Sequence, residues 1–144
     1  MGRIRPPGTE MIIDTMVMAY ALLGVPEYGE ESLAALRKAE GLYAPASIEA
    51  ELLNVVWQWS RRGIAVDKAA EIYGDAARLW TRLIPVQLLW PEALSLANAS
   101  GHSPYDTLFI AAARLLHSAV ITYDRKMLSL FPEDTITVGD FLRL

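Results

Sequence analysis

Four carboxylates, Asp14, Glu51, Asp106 and Asp124, stand where an α/β chain makes ligand sites. Asp14 ends the β-like run Met11 to Ile13, and Asp124 follows the run Ala119 to Thr122 and Tyr123. Asp106 lies in the first turn of a helix that opens on Ser103 and Pro104 and carries Leu108, Phe109, Ala112, Leu115 and Leu116 at helical spacing. Glu51 sits at the edge of an apolar helix face made by Ile48, Leu52, Val55, Val56 and Trp59, where an unpaired carboxylate is costly. Ligands of open α/β sheets bind outside the carboxyl ends of the strands, so the four acids can converge on one crevice. Converged carboxylates repel, and they either take up protons or share a cation. With no cysteine and only two histidines, His102 and His117, the donor set is oxygen, which suits Mg²⁺ or Mn²⁺. Such an ion holds phosphoryl oxygens and acidifies water, the working parts of phosphodiester hydrolysis. Each acid also has a purely structural reading. Asp14 and Asp124 can cap helices, Asp106 can close a capping box with Ser103, and Glu51 can form a surface salt bridge.

The elements that must position these acids alternate between strand and helix. Met16 to Leu23 reads as an apolar helix stopped by Gly24 and Pro26. Glu30 to Glu40 reads as an amphipathic helix with Leu33 and Leu36 inward and Gly41 as its stop. Leu42 to Ala44 is a short strand closed by Pro45, and a long helix then runs from Ser47 to about Arg62. Asp67 is expected to cap a helix reaching about Arg82, with Ala70, Ile72, Tyr73, Ala77 and Trp80 as its apolar positions. Ile84 to Leu89 reads as a strand interrupted by Pro85, followed by a helix from Pro91 to Ser100. A short helix follows Asp124, and a last β-like run spans Thr135 to Val138 before Phe141 to Leu144 close the chain. This alternation predicts an α/β fold, a three-layer α/β/α sandwich with a central parallel sheet.

The 144 residues suffice for one domain, expected over 10–144 after a loose leader at 1–9. Arg3 and Arg5 precede an apolar stretch in the manner of a signal peptide, but Asp14 interrupts it. The run is also shorter than the ~20 residues of a membrane span. A cytoplasmic location without membrane contact is therefore expected. The net charge of −4 gives no global attraction to nucleic acid, so such binding would use local basic patches or metal ions. The 53% hydrophobic content suggests either a well-filled core or apolar surface for self-association.

The segments MIIDT, PASIEAELLNVV, SPYDTLFIAAA and VITYD, in this order and spacing, resemble the PIN-domain family, and within it the VapC-type toxins of toxin–antitoxin pairs. The resemblance runs from Met11 to Leu144. It implies a Mg²⁺- or Mn²⁺-dependent ribonuclease that leaves 5′-phosphate and 3′-hydroxyl ends, with an antitoxin protein and a second copy of the chain as partners. By position it makes Asp14 and Asp106 the principal metal ligands. Glu51 completes the site through its Glu-x-x-Asn pattern with Asn54, and Asp124 belongs to a Thr-x-Asp pattern with Thr122. Thr122 is expected to hold water or phosphate. Arg125, beside Asp124, is the stronger candidate phosphate contact, and Arg61-Arg62 the weaker. One departure is Met16, where many members carry Asn or Ser; it supports the alternative of a weakly active or inactive PIN-like module that binds RNA or protein. A metal-free acid–base pair would need His102 and His117 together, although His117 falls at a helix C-terminus, where positive charge suits the dipole. Trp57, Trp59, Trp80 and Trp90 are either RNA-stacking platforms or core and interface residues.

Overall fold

The computed structural model describes residues 10–144; the leader expected at 1–9 lies outside the described residues. Among the described residues, five short strands, β1 (Glu10–Ile13), β2 (Gly41–Pro45), β3 (Arg82–Ile84), β4 (Val120–Ile121) and β5 (Thr135–Ile136), form one sheet in the order β3-β2-β1-β4-β5. All pairings are parallel. Parallel neighbours need crossover connections, and the helices supply them: α1 (Thr15–Leu23), α2 (Gly29–Lys38), α3 (Ile48–Arg61), α4 (Val66–Leu79), α5 (Val86–Ser100), α6 (Pro104–Leu115), α7 (Arg125–Leu130) and α8 (Val138–Leu142).

Side-chain alternation on the strands divides the core into two layers. Met11 and Ile13 point to one face, with Val17 and Met18 of α1, Ala35 and Leu36 of α2 and Phe141 of α8. Ile12 and Val120 point to the other, with Leu89 and Ala93 of α5 and Phe109 and Ala113 of α6. Every residue of α6 from Thr107 to Ala113 is buried, so this helix is the anchor of its layer. The result is the expected three-layer sandwich. Among the described residues, no helix is long and apolar enough to cross a membrane.

Several boundaries differ from expectation. The strand expected at Ile84 to Leu89 ends at Ile84, and the chain turns into α5 at Val86, with Pro91 inside the helix. Pro85 cannot donate to a sheet ladder, while Leu89, Ala93 and Ala97 recur at helical spacing and bury together. Asp67 does not cap α4. Ala65 holds that position, and the buried stripe is Ala69, Ile72 and Ala76, leaving Ala70 and Ala77 exposed. Trp80 already stands beyond the end of α4, and Arg82 opens β3. Gly41 does not stop α2, which ends at Lys38. It opens β2, where a Cβ would lie 2.6 Å from the Tyr43 ring. The last strand is short because the Thr137 hydroxyl accepts from the Asp140 N–H at 3.0 Å and starts α8 at Val138.

Candidate active site

The site is built at the carboxyl ends of the two central strands. Ile13 of β1 lies in register with Ile121 of β4, so the next residues, Asp14 and Thr122, leave the sheet side by side. The Asp14 N–H donates to the Ile121 carbonyl at 3.1 Å. Asp14 also caps α1, its Oδ1 accepting from the Thr15 N–H at 2.8 Å. Its Oδ2 accepts from the Thr122 hydroxyl at 2.5 Å. Thr122 Oγ1 in turn accepts from the Asp124 N–H at 2.9 Å. Asp124 caps α7 through Oδ1 alone, which accepts from the Lys126 and Met127 N–H groups. The capping readings of Asp14 and Asp124 therefore hold, and they coexist with a place in the crevice.

Asp106 departs from its expected capping role. Ser103 Oγ accepts from the Tyr105 N–H, not from Asp106. The Asp106 carboxylate turns instead to His102, with Oδ2 2.9 Å from Nε2. That is within ion-pair reach but off the line of a well-directed hydrogen bond. Glu51 arrives from α3, a separate crossover. Its Oε1 accepts from the Thr15 hydroxyl at 3.3 Å, and its Oε2 is buried without a well-directed hydrogen bond, the Ser47 hydroxyl being the carboxylate's other polar neighbour. All four acids line one crevice of about 440 Å³, together with Asn54 and the apolar side chain of Met16.

This crowding shows in the acidities. Burial pushes the Asp14 carboxyl up to about 6, with the Asp106 and Asp124 charges adding, against the hydrogen bonds from Thr122 and Thr15. Burial likewise raises Glu51 to about 7, reinforced by Asp14 and Asp106. Asp106 is raised by burial and by Asp124, while His102 works in the opposite direction. A buried oxygen without a well-directed hydrogen bond, among carboxylates held above their ordinary range, is the pattern a hard divalent cation relieves. The donor set fits Mg²⁺ or Mn²⁺.

The other expected residues separate. Thr122 is committed to Asp14 and Asp124, so it orients acids and is not free to contact phosphate. Arg125 and Lys126 are exposed in the first turn of α7. The Lys126 charge reaches Asp106 and the Arg125 charge reaches Tyr28. Arg61 and Arg62 line a different hollow, with the Arg61 guanidinium 5.1 Å over the Trp57 ring. His102 and His117 flank opposite ends of α6, about 18 Å of helix, which excludes an acid–base pair. Trp59 and Trp80 are half-buried against the core, whereas Trp57 and Trp90 are exposed. His102 joins Asp106 and Asp124 in a group whose ligand atoms all lie within 4.8 Å of one another. The i, i+4 spacing of His102 and Asp106 is visible in the sequence; their common inward direction is not.

The family model described as PIN domain matches residues 11–130. Ribonuclease VapC3 of Pyrobaculum aerophilum is 25% identical over 129 residues, covering 85% of this chain and 95% of the relative. In fold, the chain is similar to PAE2754 of Pyrobaculum aerophilum, with a TM-score of 0.73 at 17% identity, covering 94% of this chain and 89% of the other. It is also similar to VapBC2 of Rickettsia felis, a structure bound to a DNA fragment from the promoter, with a TM-score of 0.63 at 12% identity and coverage of 89% and 98%. FitAcB of Neisseria gonorrhoeae gives a TM-score of 0.60 at 22% identity, with coverage of 88% and 95%.

Proposed function

Because the chain belongs to the PIN-domain family, we propose that it is a Mg²⁺- or Mn²⁺-dependent endoribonuclease, the toxin of a toxin–antitoxin pair. The relative named Ribonuclease VapC3 supports the activity, and the fold neighbours from VapBC2 and FitAcB support an antitoxin partner. The observation that carries the reading is the convergence of Asp14, Glu51, Asp106 and Asp124 on one crevice, where Glu51 Oε2 is buried without a well-directed hydrogen bond.

In this reading Asp14 and Asp106 hold the cation, and Glu51 and Asp124 complete its surroundings. A bound Mg²⁺ or Mn²⁺ supplies charge against the phosphodiester oxygens and acidifies water. The protein's own contribution is orientation. Thr122 fixes the Asp14 carboxylate and the backbone of Asp124, and the Thr15 hydroxyl holds Glu51. In the metal-free site burial and its acidic neighbours raise Glu51 to about 7, and a bound cation favours its charged form. Arg125 and Lys126 at the rim are placed to attract the RNA backbone, and Asn54 lines the crevice beside Glu51. The exposed Leu88, Trp90 and Leu94 of α5 offer apolar area for a second copy of the chain, and a cytoplasmic location fits an RNA substrate.

Calorimetric titration of Mn²⁺ into the wild type and Asp106→Asn, followed by incubation of both with a mixed RNA pool, tests this reading. Saturable binding lost in Asp106→Asn, with cuts bearing 5′-phosphates only in the wild type, is expected. Mn²⁺ binding without cleavage would favour the module that binds but does not cut, for which the apolar Met16 in the crevice wall is the supporting observation. No binding in the wild type would remove the metal site altogether.

A further inference from the structure

The imidazole of His102 has no place in the roles derived above. It is 8% exposed, and its Nε2 is buried without a properly directed hydrogen bond. Asp106 Oδ2 lies 2.9 Å away, within ion-pair reach. Two groups that merely pair would align the N–H with the oxygen lone pair. Two ligands of one octahedral ion behave differently, because their lone pairs converge on a third point. With bonds of about 2.1 Å, adjacent ligand atoms stand about 3.0 Å apart and opposite ones about 4.2 Å. The 2.9 Å separation of Nε2 and Oδ2 is the adjacent spacing. The 4.8 Å within which His102, Asp106 and Asp124 present ligand atoms encloses the opposite spacing. Asp124 leaves Oδ2 outside its cap, since only Oδ1 accepts the Lys126 and Met127 N–H groups.

We propose that His102 is a nitrogen ligand of a divalent cation held jointly with Asp106 and Asp124. This rests on the metal-site reading above and adds to it a mixed nitrogen–oxygen donor set. An imidazole is a poor partner for Mg²⁺ and a good one for first-row transition ions. The chain therefore discriminates between Mn²⁺ and Mg²⁺ through His102, which the acids alone would not do.

The experiment is pulsed electron paramagnetic resonance of tag-free protein carrying Mn²⁺, with no RNA present. Wild type is expected to show the coupling of a directly bound nitrogen. In His102→Gln the coupling disappears, Mn²⁺ binding weakens at least about tenfold, and Mg²⁺ binding stays within about twofold. Mn²⁺ bound by the wild type without nitrogen coupling would overturn the inference and leave the metallonuclease reading standing. Coupling that persists in His102→Gln would assign the nitrogen elsewhere and would also overturn it. Absence of Mn²⁺ binding in the wild type removes both. The wild-type spectrum is decisive alone, so the outcome does not depend on a variant that folds.

Discussion

The Thr122 hydroxyl donates to Asp14 Oδ2 at 2.5 Å, and this bond ties together the ends of two neighbouring parallel strands. Thr122 Oγ1 also accepts the Asp124 N–H, so one small side chain sets the direction of one acid and the backbone of another. Thr122 is fully buried, and neither contact can be replaced by water without opening the site.

Replacing Thr122 by Val keeps the shape and deletes both contacts. A part-buried N–H and a part-buried carboxylate oxygen lose their partner, which costs about 1–3 kcal/mol in urea unfolding. Mn²⁺ binding, read by calorimetry, weakens about 10- to 100-fold, as for other residues that orient a ligand. Thr122→Ser restores most of both.

The raised acids give the metal-free protein a distinct pH dependence. Below about pH 4 they are protonated whether the chain is folded or not, and the site carries no penalty. Between there and about pH 7 the unfolded chain releases protons that folded Asp14 and Glu51 retain. Their contribution to stability therefore falls as pH rises and levels off above that window. Glu51→Gln removes its share: expected equal to wild type near pH 4 and more stable at pH 8 by thermal unfolding without metal. Mn²⁺ at about a hundred times its Kd adds about 2.7 kcal/mol to the wild type and far less to Glu51→Gln.

Asp134 is 3% exposed and takes two guanidinium contacts from Arg114, at 3.0 and 3.2 Å. Arg114→Met strands that carboxylate and is expected to cost roughly 3 kcal/mol by urea unfolding, toward the low end for a broken buried pair because Arg114 is partly exposed. Mn²⁺ affinity should not change, since this pair joins α6 to the turn before β5 and does not line the crevice.

Gly29 opens α2 against the end of α1. A Cβ there would stand 2.7 Å from the Gly24 carbonyl carbon and 2.8 Å from its Cα. Backbone atoms cannot swing aside, so Gly29→Ala is expected to cost roughly 1–3 kcal/mol, measured as a lowered Tm with unchanged Mn²⁺ affinity.

What the sequence determined by itself is local or periodic. The alternation of strand and helix names a parallel three-layer fold, and apolar spacing picks the buried face of α3, whereas α6 is buried all round from Thr107 to Ala113 and its Leu115 is exposed. Asp14 and Asp124 are legible because a carboxylate just before a helix caps it whatever the rest of the chain does. Legibility ends where two local signals compete or where the partner is distant in the chain. Ser103 and Asp106 spell a capping box, yet the acid turns to His102, because the inward position beside Asp124 is defined by another strand end. Val86 to Leu89 reads from its sequence as strand, and only the burial of Leu89 with Ala93 and Ala97 selects helix. Glu51 meets Thr15 across 36 residues, and the burial of its Oε2 exists only once α3 is docked. Capping is settled within a turn of backbone. The shared field of four acids is settled by which crossovers pack together, and that is a property of the tertiary structure alone.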